Sequence, residues 1–189
     1  RSVFDACLLA FLGCGDGAAF LRRDIRAKTW DEGWHYRGMG QFGRSASVLD
    51  VEILAASPFL DLASVLAGKL EMLSPASEFS HFRAVAVALM RHPSKKVLPA
   101  LKKLLALPGM TGHAVVGYDD IYGANRAERN DTSVRNAQLK ELYLAAALYA
   151  CSPKCFEAEA ILRDYAYGMQ GDYALFARRA LKGQSVSSR

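Results

Sequence analysis

Between Ser77 and Leu107 the chain reads SEFSHFRAVAVALMRHPSKKVLPALKKLLAL, two amphipathic segments joined at His92-Pro93-Ser94. Apolar residues recur there at three- and four-residue intervals, the period of one face of an α-helix. Neither helix hides its apolar stripe alone, so the pair needs similar pairs on both sides. The same period places Val3, Phe4, Cys7, Leu8, Phe11 and Leu12 together in residues 3–13. It predicts further helices near 16–28, 46–56, 58–73, 78–91, 95–107, 134–151, 153–169 and 172–181. Asp16 suits an N-cap. Ser57-Pro58 and Ser152-Pro153 read as helix starts, the serine capping free N–H groups and the proline at the first helical position. Pro99 falls in the first turn or so of its helix, where a missing N–H is tolerated.

The turns superimpose. AFLGCGDGAAFLRRDI, LAASPFLDLASVLAGKL, ALMRHPSKKVLPALKKLL and ALYACSPKCFEAEAILRDY each join a small, apolar helix end to an amphipathic second helix through Gly, Ser, His or Pro. Pro58 and Pro93 are 35 residues apart; Pro93 and Pro153 are 60 apart, one such period plus the insertion at 108–133. This predicts an all-α protein: a short HEAT-like α-solenoid of about four helical hairpins plus a C-terminal helix over residues 1–182, then a flexible tail at 183–189. Tetratricopeptide repeats have a similar period, but their Trp-Leu-Gly-Tyr signature is not found.

Composition narrows the class. With 189 residues, 51% hydrophobic and 23% charged, the chain can fill a core without disulfides or metal. The 24 Lys and Arg against 19 Asp and Glu leave +5, which permits an acidic partner without requiring one. No apolar run reaches the length of about 18 residues needed to span a membrane. Residues 1–14 superficially resemble a signal peptide, but Asp5 interrupts the run and GDGAAFLRR continues the helical pattern. Starting mid-helix at Arg1, the sequence reads as a fragment of something longer. Cys7, Cys14, Cys151 and Cys155 lack the spacing of a zinc site and read as small buried hydrophobes.

Two polar, glycine-containing breaks, 29–44 and 108–133, connect predicted hairpins. Both should emerge on one edge, beside helix N-termini with unpaired N–H groups. Candidate side chains gathered there are Trp30, Trp34, His35, Tyr36, Arg37, Gln41, Arg44, His81, Arg83, His113 and Arg135. Two readings stay open. Loop aromatics beside arginine make recognition surfaces; alternatively Trp30 and Trp34 fill the gap left by the insertion while His81 and Arg83 tie neighbouring helices. No set of residues qualifies as catalytic. Gly13-x-Gly15-x-Gly17 follows a helix rather than a strand, so it is no dinucleotide loop. The paired acids Asp31-Glu32 and Asp119-Asp120 read as solvated turn residues, and the four histidines show no metal spacing.

Trp30-Asp-Glu-Gly-Trp-His-Tyr-Arg-Gly-Met-Gly-Gln-Phe-Gly-Arg44, with Ser77-Glu-Phe-Ser-His-Phe-Arg-Ala84 and Pro108-Gly-Met-Thr-Gly-His113, resembles the C-terminal HEAT-like region of bacterial FAD-dependent oxidoreductases. The resemblance covers roughly residues 29–182. It implies an accessory domain whose parent enzyme carries FAD on an N-terminal Rossmann-type domain. This sequence has no strand, Gly-rich loop and helix unit for the flavin, so the resemblance assigns it no cofactor of its own and no catalytic residue. The implied partner is that flavin domain or another protein. Alternatives are a stand-alone peptide-binding HEAT-repeat module and, less well supported by the charge distribution, a HEAT-like DNA glycosylase.

Overall fold

The computed structural model describes residues 2–32, 45–58, 62–120 and 132–183. Among them every regular element is helical: α1 (Val3–Phe11), α2 (Gly15–Ala27), α3 (Ala46–Ala56), α4 (Ala63–Glu71), α5 (Phe79–Arg91), a 3-10 turn (Lys95–Val97) running into α6 (Leu98–Leu105), α7 (Ser133–Cys151), α8 (Phe156–Tyr167) and α9 (Gly171–Leu181). The all-α reading holds. None of the described helices is long and apolar enough to cross a membrane.

Local chemistry explains several boundaries. Ser2 and Asp5 form a reciprocal capping box at α1, each side chain accepting the other's backbone N–H at 3.1 Å. Ser45 caps α3 by accepting from Val48 N. Gly13, with φ +84°, makes the left-handed turn after α1. Pro99 sits in the first turn of α6, as the sequence suggested.

Three expected starts are corrected. Cys14, not Asp16, is the N-cap of α2, and Asp16 lies in the first turn. Both Ser-Pro pairs close the helix before them instead of opening the next. Ser57 is the C-cap of α3, with its hydroxyl donating to Leu54 O at 2.7 Å. Ser152 is the C-cap of α7. Proline drives its predecessor out of the α region, a conformation that N-cap and C-cap residues can share: Ser57 has ψ 159° and Ser152 ψ 87°. The following helices begin only at Ala63 and Phe156, capped by Leu62 and Cys155 without a side-chain bond. Residues 59–61 and 184–189 lie outside the described residues.

Packing follows an alternating order. Odd-numbered helices touch in succession, α1 on α3, α3 on α5, α5 on α7 and α7 on α9, while α2 packs on α4 and α4 on α6. Cross-layer contacts join α2 to α3, α4 to α5 and α6 to α7. The middle helix α5 is enclosed on several sides: His81, Phe82, Ala84, Val85, Ala86, Ala88 and Leu89 are all buried. Its alanines admit neighbours closely on two faces. A main apolar core runs from Ala6 through Leu66 and Leu101 to Leu148, and a second, built on Leu142, Leu162 and Ala177, joins α7, α8 and α9.

At α1 the buried face is not the one the large residues suggest. Ala6 and Ala10 are fully buried, whereas Phe4, Leu8, Phe11 and Leu12 are exposed. The reason lies in α2, where Gly17 brings the two backbones together. A Cβ at that position would stand 2.5 Å from Ala10 N and 2.6 Å from Ala6 O. Only small side chains fit such an approach. Gly17→Ala is therefore expected to lower stability by about 1–3 kcal/mol through overpacking, a drop of roughly 5 °C in melting temperature that thermal unfolding followed by circular dichroism would measure.

Candidate functional site

The break after α2 begins and ends on one buried lysine. Lys69 occupies the apolar stripe of α4, beside Val65, Leu66 and Leu70. Its Nζ donates to Lys28 O at 2.7 Å and to Ser47 Oγ at 3.2 Å. Ser47 Oγ in turn donates to Thr29 O at 2.8 Å. Trp30, buried, returns the contact by donating its indole N–H to Lys69 O at 2.9 Å, and the Lys69 ammonium lies 4.9 Å from the Trp30 ring centroid. Residues 28–30 and 45–47 are thereby clamped together. Burial pushes the Lys69 ammonium below its ordinary pKa, opposed by the charge of Asp50.

Beside the clamp, Lys28 stands between two carboxylates. It pairs with Asp24, four residues back on α2, and its Nζ lies 3.7 Å from Asp50 Oδ2. Burial works against the charge on Lys28, yet its bond to Asp24 and the charge of Asp50 hold its pKa above the ordinary value. Asp50 is almost fully buried on α3, with Asp24 and Lys28 as its polar neighbours. Its carboxyl is pushed up to about 7, first by burial and then by Asp24, with Lys28 opposing.

His81, in the first turn of α5, stacks on Trp30 with ring centroids 4.9 Å apart and planes at 17°. Its Nε2 is 3.6 Å from Asp31 Oδ1. Burial lowers its pKa and the nearby Asp31 and Glu78 charges only partly offset this, so the ring is held neutral. Arg83, two residues on, faces Glu52 of α3 at 3.6 Å.

The second break is anchored by a charge of opposite sign. Glu141, buried on α7, accepts from Gly112 N at 2.8 Å, His113 N at 2.9 Å and the Tyr165 hydroxyl at 2.8 Å. Gln138, one turn earlier, donates to His113 O at 3.1 Å, and Val115 O accepts from Met169 N at 3.0 Å. The segment from Gly112 to Val115 is thus held against α7 and the end of α8. Among the described residues the His113 ring bonds only Gly109 O, at 2.9 Å. Beyond it, Asp120 Oδ2 accepts from Val116 N and Gly117 N, so this turn acid folds its own loop.

The connection between α4 and α5 completes this edge. Lys140 of α7 donates to Pro75 O at 2.8 Å and lies over the Phe82 ring. A shallow cleft of about 260 Å³ lies between residues 75–79, Gly109 and the first turns of α7.

The sequence candidates accordingly divide. His81 and Trp30 belong to the Lys69 clamp, Arg83 to an α3–α5 contact, and His113 to the Glu141 anchor; Arg135 is exposed on α7. Trp34, His35, Tyr36, Arg37, Gln41 and Arg44 lie outside the described residues, in the stretch the clamp closes off. Cys151 and Cys155 are buried, Cys7 and Cys14 half-buried, and all four are free thiols. Among the described residues no group of three or more His, Cys, Asp or Glu is placed to hold a metal ion.

No protein-family model matches the chain, and comparisons with curated proteins and with solved structures find no match.

The residues that shape this edge, Lys69, Asp50 and Glu141, were not among the sequence candidates. One signal for them exists. Each is a charged residue placed on the apolar stripe of its helix: Lys69 beside Leu66 and Leu70, Asp50 beside Val51 and Leu54, Glu141 beside Leu142 and Ala145.

Two predictions follow from these geometries. Because the folded-state pKa of Asp50 is raised above the ordinary carboxylate value, its stabilising contribution is complete below pH about 4 and is lost as pH rises through about 7. His81, with a lowered pKa, acts in the opposite direction as pH falls below about 6.5. Urea unfolding of Asp50→Asn beside the wild type isolates the first effect: the wild type should lose on the order of 2 kcal/mol relative to the variant between pH 5 and 8. For the second anchor, Glu141→Gln should cost about 2–3 kcal/mol, since it turns an N–H toward donors that need an acceptor, whereas His113→Ala should cost less than about 1 kcal/mol. Equal losses in melting temperature would contradict that division.

Proposed function

We propose that this chain is a non-catalytic, HEAT-like scaffold domain whose connection edge docks the flavin-binding domain of a FAD-dependent oxidoreductase. The observation that carries the proposal is the clamp on Lys69. It closes the base of the break that holds Trp34, His35, Tyr36 and Arg37, and sets that base beside His81, Asp31 and Glu78 on a preorganised edge. Preorganisation of this kind lowers the entropic cost of binding a partner. The alternating contacts of odd and even helices support the HEAT-like reading, because repeats of this type stack each hairpin on its neighbours. The resemblance of residues 30–44 to the oxidoreductase family supplies the identity of the partner.

In this reading the chain holds no flavin itself. Its described histidines and tryptophan serve to position backbone, and the redox chemistry belongs to the partner domain. The test has two arms. The purified chain, incubated with FAD and desalted, should emerge colourless; stoichiometric retention of flavin would overturn the reading. An immobilised flavin-binding domain from an oxidoreductase of that family should capture the wild-type chain. Capture should be lost in the Trp34→Ala/Arg37→Ala double variant, without loss of helical content. Failure to capture the wild type would equally refute the proposal.

A further inference from the structure

The opposite edge, where the turns within hairpins lie, carries a groove of about 440 Å³. It opens where the C-terminal ends of α5, α7 and α9 converge. Its walls are Val87 and Met90 from α5, Ala146 and Ala150 from α7, and the turn prolines Pro93 and Pro153. The space exists because the side chains at 146, 150 and 180 are only methyl groups where three helix ends meet. The prolines have no N–H to present, so they add no donor to the lining. The volume lies within the range of about 300–1,000 Å³ typical of ligand pockets and gives room for an anchoring Leu or Phe side chain.

Arg91 and Tyr149 also line this groove, and neither side chain has a hydrogen bond or ion pair with a described residue. The basic residues at or next to the lining positions are Arg91, Lys154, Arg179 and Lys182, all exposed. Arg178 is engaged elsewhere, donating through Nε to Ala166 O of α8. Basic residues also stabilise helix C-termini, which carry roughly half a negative charge each. Three such termini amount to about −1.5, so four cations leave a positive surplus.

We propose that this groove binds an acidic peptide segment of a partner protein, with one apolar side chain anchored between α5 and α7 and flanking carboxylates on Arg91 and the basic rim. Apolar walls with a charged rim are the arrangement by which grooves take amphipathic segments. A nucleic acid fits less well, because its phosphates need donors along the floor and its bases need aromatic faces, of which the groove offers Tyr149 alone. The site lies at the far end of α5 from the Lys69 clamp, about 20 Å away for a helix of this length, and is independent of the connection edge.

The probe is a short fluorescein-labelled peptide carrying Leu and Phe at helical spacing with Glu at the remaining positions, titrated by fluorescence anisotropy. Two controls run beside it: the same peptide with every Glu replaced by Lys, and a labelled single-stranded DNA of equal charge. The wild type should bind the acidic peptide, and the affinity should fall about tenfold as salt is raised from low to physiological levels. Arg91→Glu, an exposed change that keeps the fold, should weaken binding about tenfold, and Ala150→Trp, which fills the groove, should abolish it. Circular dichroism checks the fold of both variants, and Arg91→Glu alone decides the matter should Ala150→Trp misfold. Absence of binding to the acidic peptide, equal binding of the Lys peptide, tighter binding of the DNA, or full affinity in Arg91→Glu would each overturn the proposal. Capture by a flavin-binding domain at the connection edge should be unchanged in Arg91→Glu, so failure of one proposal is distinguishable from failure of the other.

Discussion

A helix with one apolar stripe is unstable in water until something covers that stripe, and this chain meets the requirement by stacking. Each odd-numbered helix lies on the next odd one and each of the first three even helices on its even neighbour. The interior helix α5 meets the condition most completely, with seven of its residues buried among its neighbours. Close approach is supplied by small residues: alanines along α5 and α7, and Gly17 where α1 meets α2. Larger side chains at those contacts would force the layers apart.

Packed helices leave a problem at their connections, whose backbone groups have no helical partners. Two buried side chains of opposite charge address it. Lys69 meets a carbonyl and a hydroxyl and supplies a cation; Glu141 meets amide groups and supplies an anion. Neither is offset by an ion pair of the usual kind. Lys69 bonds a carbonyl and a hydroxyl, and Glu141 bonds two amides and a phenol. Such charge-assisted bonds are stronger than neutral ones and direct each connection to a single course. Desolvation is the accompanying cost, visible in the depressed pKa of Lys69 and in the raised pKa of Asp50.

The outcome is a helical body with two chemically distinct edges. One edge gathers the connections, with Trp30 stacked on His81 and acids at Asp31 and Glu78. The other, at the C-terminal ends of α5, α7 and α9, carries a groove lined largely by apolar residues, with Arg91 among them. The length of α5 separates the two surfaces.

The sequence by itself determined the helices and their turns. Residues 46–56 form the helix their pattern indicated, and the break at His92-Pro93-Ser94 separates α5 from the 3-10 turn before α6. These features depend on residues close in the chain, where a 3.6-residue period and the constraints of proline act directly. Only the tertiary structure decided that the Ser-Pro pairs end helices, because both start and stop are compatible with the same dipeptide until the path of the chain is known. Only it decided that α1 turns Ala6 and Ala10 inward and leaves Phe4 and Phe11 outside, a choice made by Gly17 on the next helix. The clamp and the anchor were hidden for the same reason. Lys69 reaches Lys28 across 41 residues and Glu141 reaches Gly112 across 29. A charge on an apolar stripe marks such a residue, but its partner is set by the fold.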